Sequence, residues 1–274
     1  GVEYKQVRYQ DVPLDIMHNY ACLDARLTYD LHRKYERELS LDQAALYMME
    51  AELTPICLKM EEHGLLLDKD YTLAGMYHEG GLVTELKASY AERTGVAFTN
   101  SAKSIQKVLD TQLPQTDAGN PSLDDDVVEW LLVNGSDRDK ETVGIVRQIR
   151  TYDKRISTYY KSYLNFATPQ SIIHPTMWQA GTRTGRFSYS DPNLQNIPKE
   201  EHSVHDHVIR GCFKPRPGRR YVSFDFSQME YRMMAAYAGA TDIIIAVMNG
   251  ADFHQATATL IGITRSQAKT LNFA

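Results

Sequence analysis

The sequence is poor in the features that mark secreted, metal-binding and membrane proteins. Its three cysteines are widely separated, odd in number and without CxxC spacing, which excludes a dense disulfide framework and a cysteine-based zinc site. No apolar run reaches the roughly 18 residues that a membrane-spanning helix needs. The N-terminal stretch lacks the apolar core of a signal peptide. These absences favour a reduced, cytoplasmic protein with no membrane partner.

The charge is distributed unevenly along the chain. The formal net charge is -5, which does not by itself indicate a nucleic-acid partner. Residues 181–220 nevertheless carry eight basic and four acidic side chains. The same stretch contains amide side chains suited to base edges or to sugar and phosphate, or else to an ordinary polar loop. These amides are Asn193, Gln195 and Asn196.

Hydrophobic periodicity predicts a helical region followed by an α+β region. Helical spacing and capping residues predict helices at 16–37, 40–63, 71–93, 124–133, 139–164, 228–238, 242–249, 253–261 and from 265 onward. A small helix is expected around 105–109, and residues 65–70 read as extended. Residues 220–226 alternate apolar and polar side chains, which predicts a strand. The predicted helix at 139–164 carries cations that form either a phosphate-tracking face or a solvated one: Arg147, Arg150, Lys154, Arg155 and Lys161.

Two carboxylates stand near the end of the predicted strand at 220–226. Asp225 lies on the face opposite the apolar side chains, where it could project into a cleft and bind Mg²⁺, an ion that takes few protein ligands. A surface aspartate at a strand end is the simpler interpretation. Glu230 follows Ser227 with the spacing of a capping box, which explains the residue without any further function.

The last predicted helix carries two cations on one face. Arg265 and Lys269 are four residues apart and Phe273 continues the stripe, while Thr264 and Gln267 have capping-box spacing. Cations in a first turn oppose the helix dipole, so the pattern is typical of an anion site, with a nucleotide triphosphate as a natural ligand. Two solvated cations remain the alternative. His254, just after a predicted cap at Asp252, either joins such a site or is structural.

Four segments in order resemble motifs of DNA polymerase family A, the DNA polymerase I type. TGRFSYSDPNLQNIP at 184–198 resembles the TGRLSS-x-DPNLQNIP stretch, and DFSQMEYRMMAAYAG at 225–239 resembles motif A, DYSQIELR. DFHQATA at 252–258 resembles the D-I-H-x-A-T-A element. Arg265-x-x-x-Lys269-x-x-Asn272-Phe273 resembles the start of motif B. Replacement of Leu and Ser by Phe187 and Tyr189 suggests a divergent, phage-like member.

The resemblance implies a role for each matching residue. Asp225 would be one of two aspartates that hold a pair of catalytic Mg²⁺ ions, roughly 3.5–4 Å apart. Glu230 would reject a ribose 2′-OH. His254, Arg265 and Lys269 would bind the dNTP triphosphate, Lys269 with a catalytic role, and Phe273 would lie beside the incoming sugar. The remaining matches would contact primer-template DNA: Arg186, Asn193, Gln195 and Asn196.

The resemblance also implies a domain order. Residues 1–37 would end a 3′–5′ exonuclease-like domain, 38–165 would form a mostly helical thumb, 166–240 a partial palm with an antiparallel sheet and motif A, and 241–274 the start of the fingers. Tyr20 and Asp24 resemble the third exonuclease motif. The companion D-x-E motif is absent upstream, so we expect no exonuclease activity from this chain.

Three functional hypotheses follow. The first is a template-directed DNA polymerase of a bacterial cell or a phage-infected host, acting in replication or repair. The sequence ends within motif B and contains no motif C, so this chain alone is expected to be inactive. The alternatives are a non-catalytic nucleic-acid-binding protein and one half of a split polymerase whose second polypeptide carries the other aspartate.

Overall fold

The computed structural model describes residues 9–198, 207–227 and 229–273. They fall into two compact units, one that runs to Gly218 and one that begins at Arg219. In the basic stretch predicted at 181–220, the side chains at 199–206 lie outside the described residues, as do residues 1–8 of the exonuclease-like segment.

The first unit is mainly helical, as the sequence predicts. A π-helical segment, Arg155–Lys161, joins α6 to α7. The helix predicted at 139–164 is therefore continuous and runs over 137–166. The small helix predicted around 105–109 forms a few residues earlier, at Ala102–Gln106. The helices are α1 Leu14–Glu36, α2 Leu41–His63, α3 Lys69–Thr94, α4 Ala102–Gln106, α5 Asp125–Asn134, α6 Asp137–Lys154 and α7 Ser162–Phe166.

Side-chain caps explain where several of these helices begin. Ser40 and Gln43 form a capping box at α2, in which each side chain binds the other residue's backbone N–H. Asp68 caps α3 by accepting a hydrogen bond from the Tyr71 N–H at 3.2 Å. Gly64 ends α2 with φ of +60°, and a Cβ there would lie 2.5 Å from the Ile173 carbonyl oxygen. Only glycine fits that position.

Two short antiparallel ladders complete the first unit. β1 Leu65–Leu66 pairs with β2 Ile172–Ile173. β3 Thr176–Trp178 pairs with β4 Ser188–Ser190, with Met177 opposite Tyr189. The prediction of an extended segment at 65–70 was wrong beyond Leu67, because Asp68 caps α3 and the chain turns helical at Lys69.

The strand predicted at 220–226 does not form. Residues 219–226 have no regular secondary structure, and Val222, Phe224 and Phe226 are 69%, 90% and 80% exposed. A strand needs a neighbour to accept its backbone hydrogen bonds. No other segment within the described ranges pairs with this one, so alternation of side chains alone does not produce a strand here.

One hydrophobic core lies between α3, α4, α5 and α6. Ile105, Leu131, Val143 and Val146 are completely buried there, and Tyr90 of α3 packs edge-on against Phe98. Amphipathic helices of this length owe their stability mainly to such burial. All residues of this core lie within 38–165, the range that the sequence predicts to be thumb-like.

Asp139 is buried beside this core and ties α6 to the loop after α4. Its carboxylate accepts hydrogen bonds from the Asp110 N–H at 2.7 Å, the Thr111 N–H at 3.1 Å and the Thr111 hydroxyl at 2.5 Å. Burial by itself raises the pKa of Asp139, but these hydrogen bonds outweigh it and hold the pKa below its ordinary value.

We therefore expect Asp139→Ala to destabilise the chain by about 1–3 kcal/mol, because buried N–H groups lose their acceptor. Asp139 contributes stability fully above its unfolded pKa of 3.8, and the contribution is lost as pH falls through the lower folded pKa. Urea unfolding at a series of pH values checks both effects. Asp137→Ala, at an exposed aspartate in the same helical turn, is the control. Equal losses in the two variants would contradict the assignment.

A second core surrounds the π-helical segment. It contains Tyr159, Tyr160 and Tyr163 of the helix, together with Ile173 and Ile209. Cys212 is also buried there, and burial raises the pKa of its thiol to about 11, which keeps it protonated.

A buried ion pair crosses the second core. The Arg155 guanidinium donates to both Glu79 carboxylate oxygens, with an Nη2–Oε1 distance of 2.6 Å, and also to the His207 carbonyl oxygen. The Tyr160 hydroxyl donates to Glu79 Oε1 at 2.8 Å. The prediction that Arg155 belongs to an exposed basic face was wrong, since the residue is 3% exposed and serves as a structural anchor.

The second unit consists of a segment without regular secondary structure, residues 219–226, and short helices. The sequence places all four helices within one or two residues of where they form. They are α8 Met229–Tyr237, α9 Thr241–Met248, α10 Phe253–Ile261 and α11 Arg265–Phe273.

Candidate functional site

Asp225 and Glu230 flank the beginning of α8. Both side chains are exposed, Asp225 in the irregular segment before α8 and Glu230 in the first turn of the helix. The Arg232 guanidinium donates to the Ser227 carbonyl oxygen at 2.8 Å and fixes the turn between them. An acidic residue in a first turn is favoured by the helix dipole, so Glu230 suits its position whatever else it does. The capping box predicted from Ser227 and Glu230 stays a prediction.

An aromatic contact joins α8 to α10. The rings of Tyr231 and Phe253 lie 4.0 Å apart between centroids. Tyr231 directly follows Glu230, and Phe253 directly precedes His254. The contact therefore brings the first turns of the two helices together.

Asp252 links the first turns of α10 and α11. Its carboxylate caps α10 by accepting a hydrogen bond from the Gln255 N–H at 3.1 Å. Its other oxygen accepts from Arg265 Nε at 2.8 Å. The cap and the Arg265 cation hold the pKa of Asp252 below its ordinary value. This contact orients the Arg265 side chain at the start of α11. The sequence predicted the cap at Asp252 but not the contact between Asp252 and Arg265.

α11 has an exposed cationic face and a buried face. Arg265 and Lys269 are exposed on one side, whereas Ala268 is completely buried. Thr264 and Gln267 form the predicted capping box, with hydrogen bonds of 2.9 and 3.2 Å. The side chain of Phe273 lies outside the described residues, although its backbone ends the helix. The proposed ring beside the sugar is therefore untested.

His254 is buried against α11. It is 4% exposed, and its Nδ1 lies 3.0 Å from the Asn272 amide nitrogen. This contact joins a residue of α10 to one of α11 eighteen positions later. The two residues belong to two different motifs, and only the packing of the two helices shows that they touch.

The predicted DNA-contacting residues lie in the first unit, in the loop around β4. Arg186, Asn193, Gln195 and Asn196 are all exposed. Two of the amides also shape the loop, since Asn193 Oδ1 accepts from the Gln195 N–H and the Gln195 amide donates to the Phe187 carbonyl oxygen at 2.8 Å. Gly185 has φ of +74° and lets the chain turn sharply before Arg186.

The remaining predicted site is on α1. Tyr20 and Asp24 are both exposed on this helix. The structure assigns them no shared contact among the described hydrogen bonds, and their resemblance to an exonuclease motif stays a prediction.

Within the described ranges, histidine, cysteine, aspartate and glutamate side chains form no group of three or more that could enclose a metal ion. Asp225 is a single exposed carboxylate, a type of oxygen donor that suits Mg²⁺, since this ion keeps several of its waters. The described helices include none whose length and apolarity would let it cross a bilayer.

Comparison with known proteins decides the family. The model of DNA polymerase family A matches residues 80–274, which is more than half of the chain. The chain belongs to DNA polymerase family A. This match includes all four motifs of the second half and most of the helices around the first core.

Individual family A relatives resemble almost the whole chain. DNA polymerase I of Chloroflexus aurantiacus is 30% identical over 277 residues, which cover 94% of this chain and 28% of the relative. DNA polymerase DpoZ of Vibrio phage phiVC8 is 26% identical and matches 93% of this chain and 43% of its own length. The chain thus spans less than half the length of these relatives.

A solved structure supports the fold. The POL domain of Pol1 from M. smegmatis, in a complex with DNA primer-template and dNTP, matches 92% of this chain with a TM-score of 0.76 and 22% identity. The match covers 46% of that structure. The α+β fold with a helical first part and small antiparallel sheets therefore matches part of a polymerase domain.

Proposed function

We propose that the chain forms part of a template-directed DNA polymerase, which transfers a dNTP to a primer 3′-OH. The observation that carries this proposal is the pairing of α10 with α11. Asp252 orients Arg265, Asn272 contacts His254, and Lys269 lies one turn beyond Arg265. Donors and cations carried by these two paired helices suit a triphosphate, which is rich in acceptor oxygens.

Asp225 is the proposed ligand for Mg²⁺. It is an exposed carboxylate, and hard cations prefer such oxygens. When bound, Mg²⁺ ions would supply charge stabilisation at the phosphoryl group and lower the pKa of the primer hydroxyl. Asp225 lies five residues before Glu230, which is in the first turn of α8. α8 in turn contacts the start of α10 through the rings of Tyr231 and Phe253.

The proposed nucleic-acid contacts lie in the loop of the first unit. Arg186, Asn193, Gln195 and Asn196 present guanidinium and amide groups to solvent. We propose that Arg186 reads the primer end and that the amides contact the template-primer duplex. Support comes from the exposure of these four side chains and from the internal hydrogen bonds of Asn193 and Gln195, which shape the loop that carries them.

Primer extension by the product of the complete reading frame tests this function. We expect incorporation of the dNTP that matches the template when Mg²⁺ is present, and none when the ion is chelated. Duplex binding should also weaken steeply as salt rises. Binding that yields no template-dependent incorporation would favour a nucleic-acid-binding protein and would contradict the proposed reaction.

Glu230→Ala is expected to admit ribonucleotides. If the carboxylate excludes a 2′-OH, its removal should raise the kcat/KM for a ribonucleotide relative to the deoxynucleotide by at least about tenfold, or about 1.4 kcal/mol. Glu230→Gln keeps the size of the side chain and is the control, with selectivity close to that of the wild type. Unchanged sugar selectivity in Glu230→Ala would refute the gate.

A further inference from the structure

The Arg265 guanidinium binds Asp252 through one edge only. Its Nε and Nη2 both lie 2.8 Å from the same carboxylate oxygen, Asp252 Oδ2. These two nitrogens form the side edge of the planar group. Nη1 has no hydrogen-bond partner among the residues that the structure describes. The end edge, where Nη1 and Nη2 carry two parallel N–H groups, is therefore left for another acceptor.

Asp252 is itself held in place. Its other carboxylate oxygen, Oδ1, accepts a hydrogen bond from the Gln255 N–H at 3.1 Å and caps α10. Rotation of the carboxylate would break this cap, so Oδ2 is a fixed acceptor for Arg265. Asp252 thus ties the direction of the Arg265 side chain to the backbone of α10.

The end edge of Arg265 belongs to the cationic face of α11. Lys269 is exposed one turn farther along the same face, and side chains four residues apart on a helix are neighbours. Two parallel N–H groups of a guanidinium can bind two phosphate oxygens at once, and a lysine beside them adds a point charge. This face can therefore bind a phosphate group while the contact between Arg265 and Asp252 stays intact.

Asp252 has two opposing effects on the binding of an anion. Its negative charge repels a triphosphate and offsets part of the Arg265 charge. Its hydrogen bonds, on the other hand, order an arginine side chain, which is among the most flexible and which an anion would otherwise have to order. The side chains of Arg265 and Asp252 are 51% and 37% exposed, so solvent and salt weaken the repulsion. Ordering is not screened by salt, and we expect it to dominate.

We propose that Asp252 is a positioning residue, which holds the side edge of Arg265 so that the end edge faces a triphosphate. The proposal rests on the nucleotide-binding function given above, and it extends that function to a residue outside the expected ligands. Asp252 acts through Arg265 and does not touch the nucleotide. The contact persists when the nucleotide binds, which distinguishes a positioning residue from a latch that the nucleotide must open.

The NMR signal of the Arg265 Nε–H group tests the contact on the chain as it is. We expect this proton to exchange slowly with water, both before and after addition of Mg²⁺·dATP. Asp252→Asn should abolish the protection, because the cap keeps the amide oxygen on Gln255 and turns the NH₂ group toward Arg265. Loss of protection in the wild type when Mg²⁺·dATP is added means that the nucleotide opens the contact. That result overturns the proposal even if the variants fail to fold.

Titration with Mg²⁺·dATP measures the consequence, in about 0.15 M salt, where the Debye length is about 8 Å. Asp252→Asn should weaken binding by about tenfold because Arg265 loses its orientation. Asparagine is as good an N-cap as aspartate, so the start of α10 is preserved. Asp242→Asn removes an exposed carboxylate from the first turn of α9 and is the control, with wild-type affinity. Unchanged or tighter binding in Asp252→Asn overturns the positioning role.

Removal of Arg265 shows whether Asp252 acts through it. In an Arg265→Ala background, Asp252→Asn should no longer weaken binding, because no guanidinium remains to be oriented. The same tenfold loss in both backgrounds would indicate a general loss of structure and would overturn the proposal. If the wild type binds no dATP, the nucleotide site is refuted and the positioning role with it. Wild-type binding that does not depend on Asp252 refutes the positioning role alone.

Discussion

Asp225→Asn is expected to lower the rate of primer extension by about a thousandfold or more in the product of the complete reading frame. The substitution removes a negative oxygen ligand while preserving size. Loss of metal-based charge stabilisation is worth several kcal/mol, and each 1.36 kcal/mol is about tenfold in rate. Single-turnover incorporation of the matched dNTP measures the effect. Duplex binding should change little, because Asp225 is proposed to act on the metal rather than on DNA.

Asp242→Asn is the matched control for this experiment. Asp242 is an exposed aspartate in the first turn of α9, in the same unit as Asp225. It should retain nearly the full rate of incorporation. A loss in Asp225→Asn no greater than in this control would exclude Asp225 as a metal ligand.

Glu79→Ala is expected to destabilise the first unit by about 3–5 kcal/mol. The side chains of Arg155 and Glu79 are 4% and 3% exposed, so the substitution leaves a charged guanidinium without its carboxylate inside the protein. The Tyr160 hydroxyl loses its acceptor as well. Urea unfolding, followed by the helical circular dichroism signal, measures the loss as a shift of the transition midpoint.

Glu141→Ala is the control for the buried pair. Glu141 bonds Arg93 at the surface, with exposed fractions of 56% and 41%. An exposed pair of this kind contributes about 0–1 kcal/mol. Similar losses of unfolding free energy in Glu79→Ala and Glu141→Ala would contradict the prediction that the buried pair contributes more to stability than the exposed one.

Local signals in the sequence predicted most of the helices. The capping box of Thr264 and Gln267 and the glycine that ends α2 act within a few residues, so they can be recognised without the fold. Local signals failed at residues 220–226, where the predicted strand does not form. Their alternation is typical of a strand, but a strand also requires a distant partner, which no local pattern specifies.

The same distinction applies to the candidate site. The resemblance implied Asp225, His254, Arg265 and Lys269 as a set. The last three lie on α10 and α11, whereas Asp225 lies in the irregular segment before α8. The contact from Asn272 to His254 depends on how α10 packs on α11, and periodicity does not encode it. Arg155 illustrates the opposite error. A cation on a helix suggests a solvated face, and only the distant Glu79 makes it a core residue.

The most direct test of the proposed nucleotide site is paramagnetic broadening by Mn²⁺·dATP, with Mn²⁺ in place of Mg²⁺. We expect the backbone amide signals of Asp225, His254 and Lys269 to lose intensity first within the unit that begins at Arg219, and Asp225→Asn to weaken that loss. Full intensity at these residues, while Mn²⁺·dATP broadens other signals, would contradict a metal–nucleotide site formed by Asp225 and the α10–α11 pair.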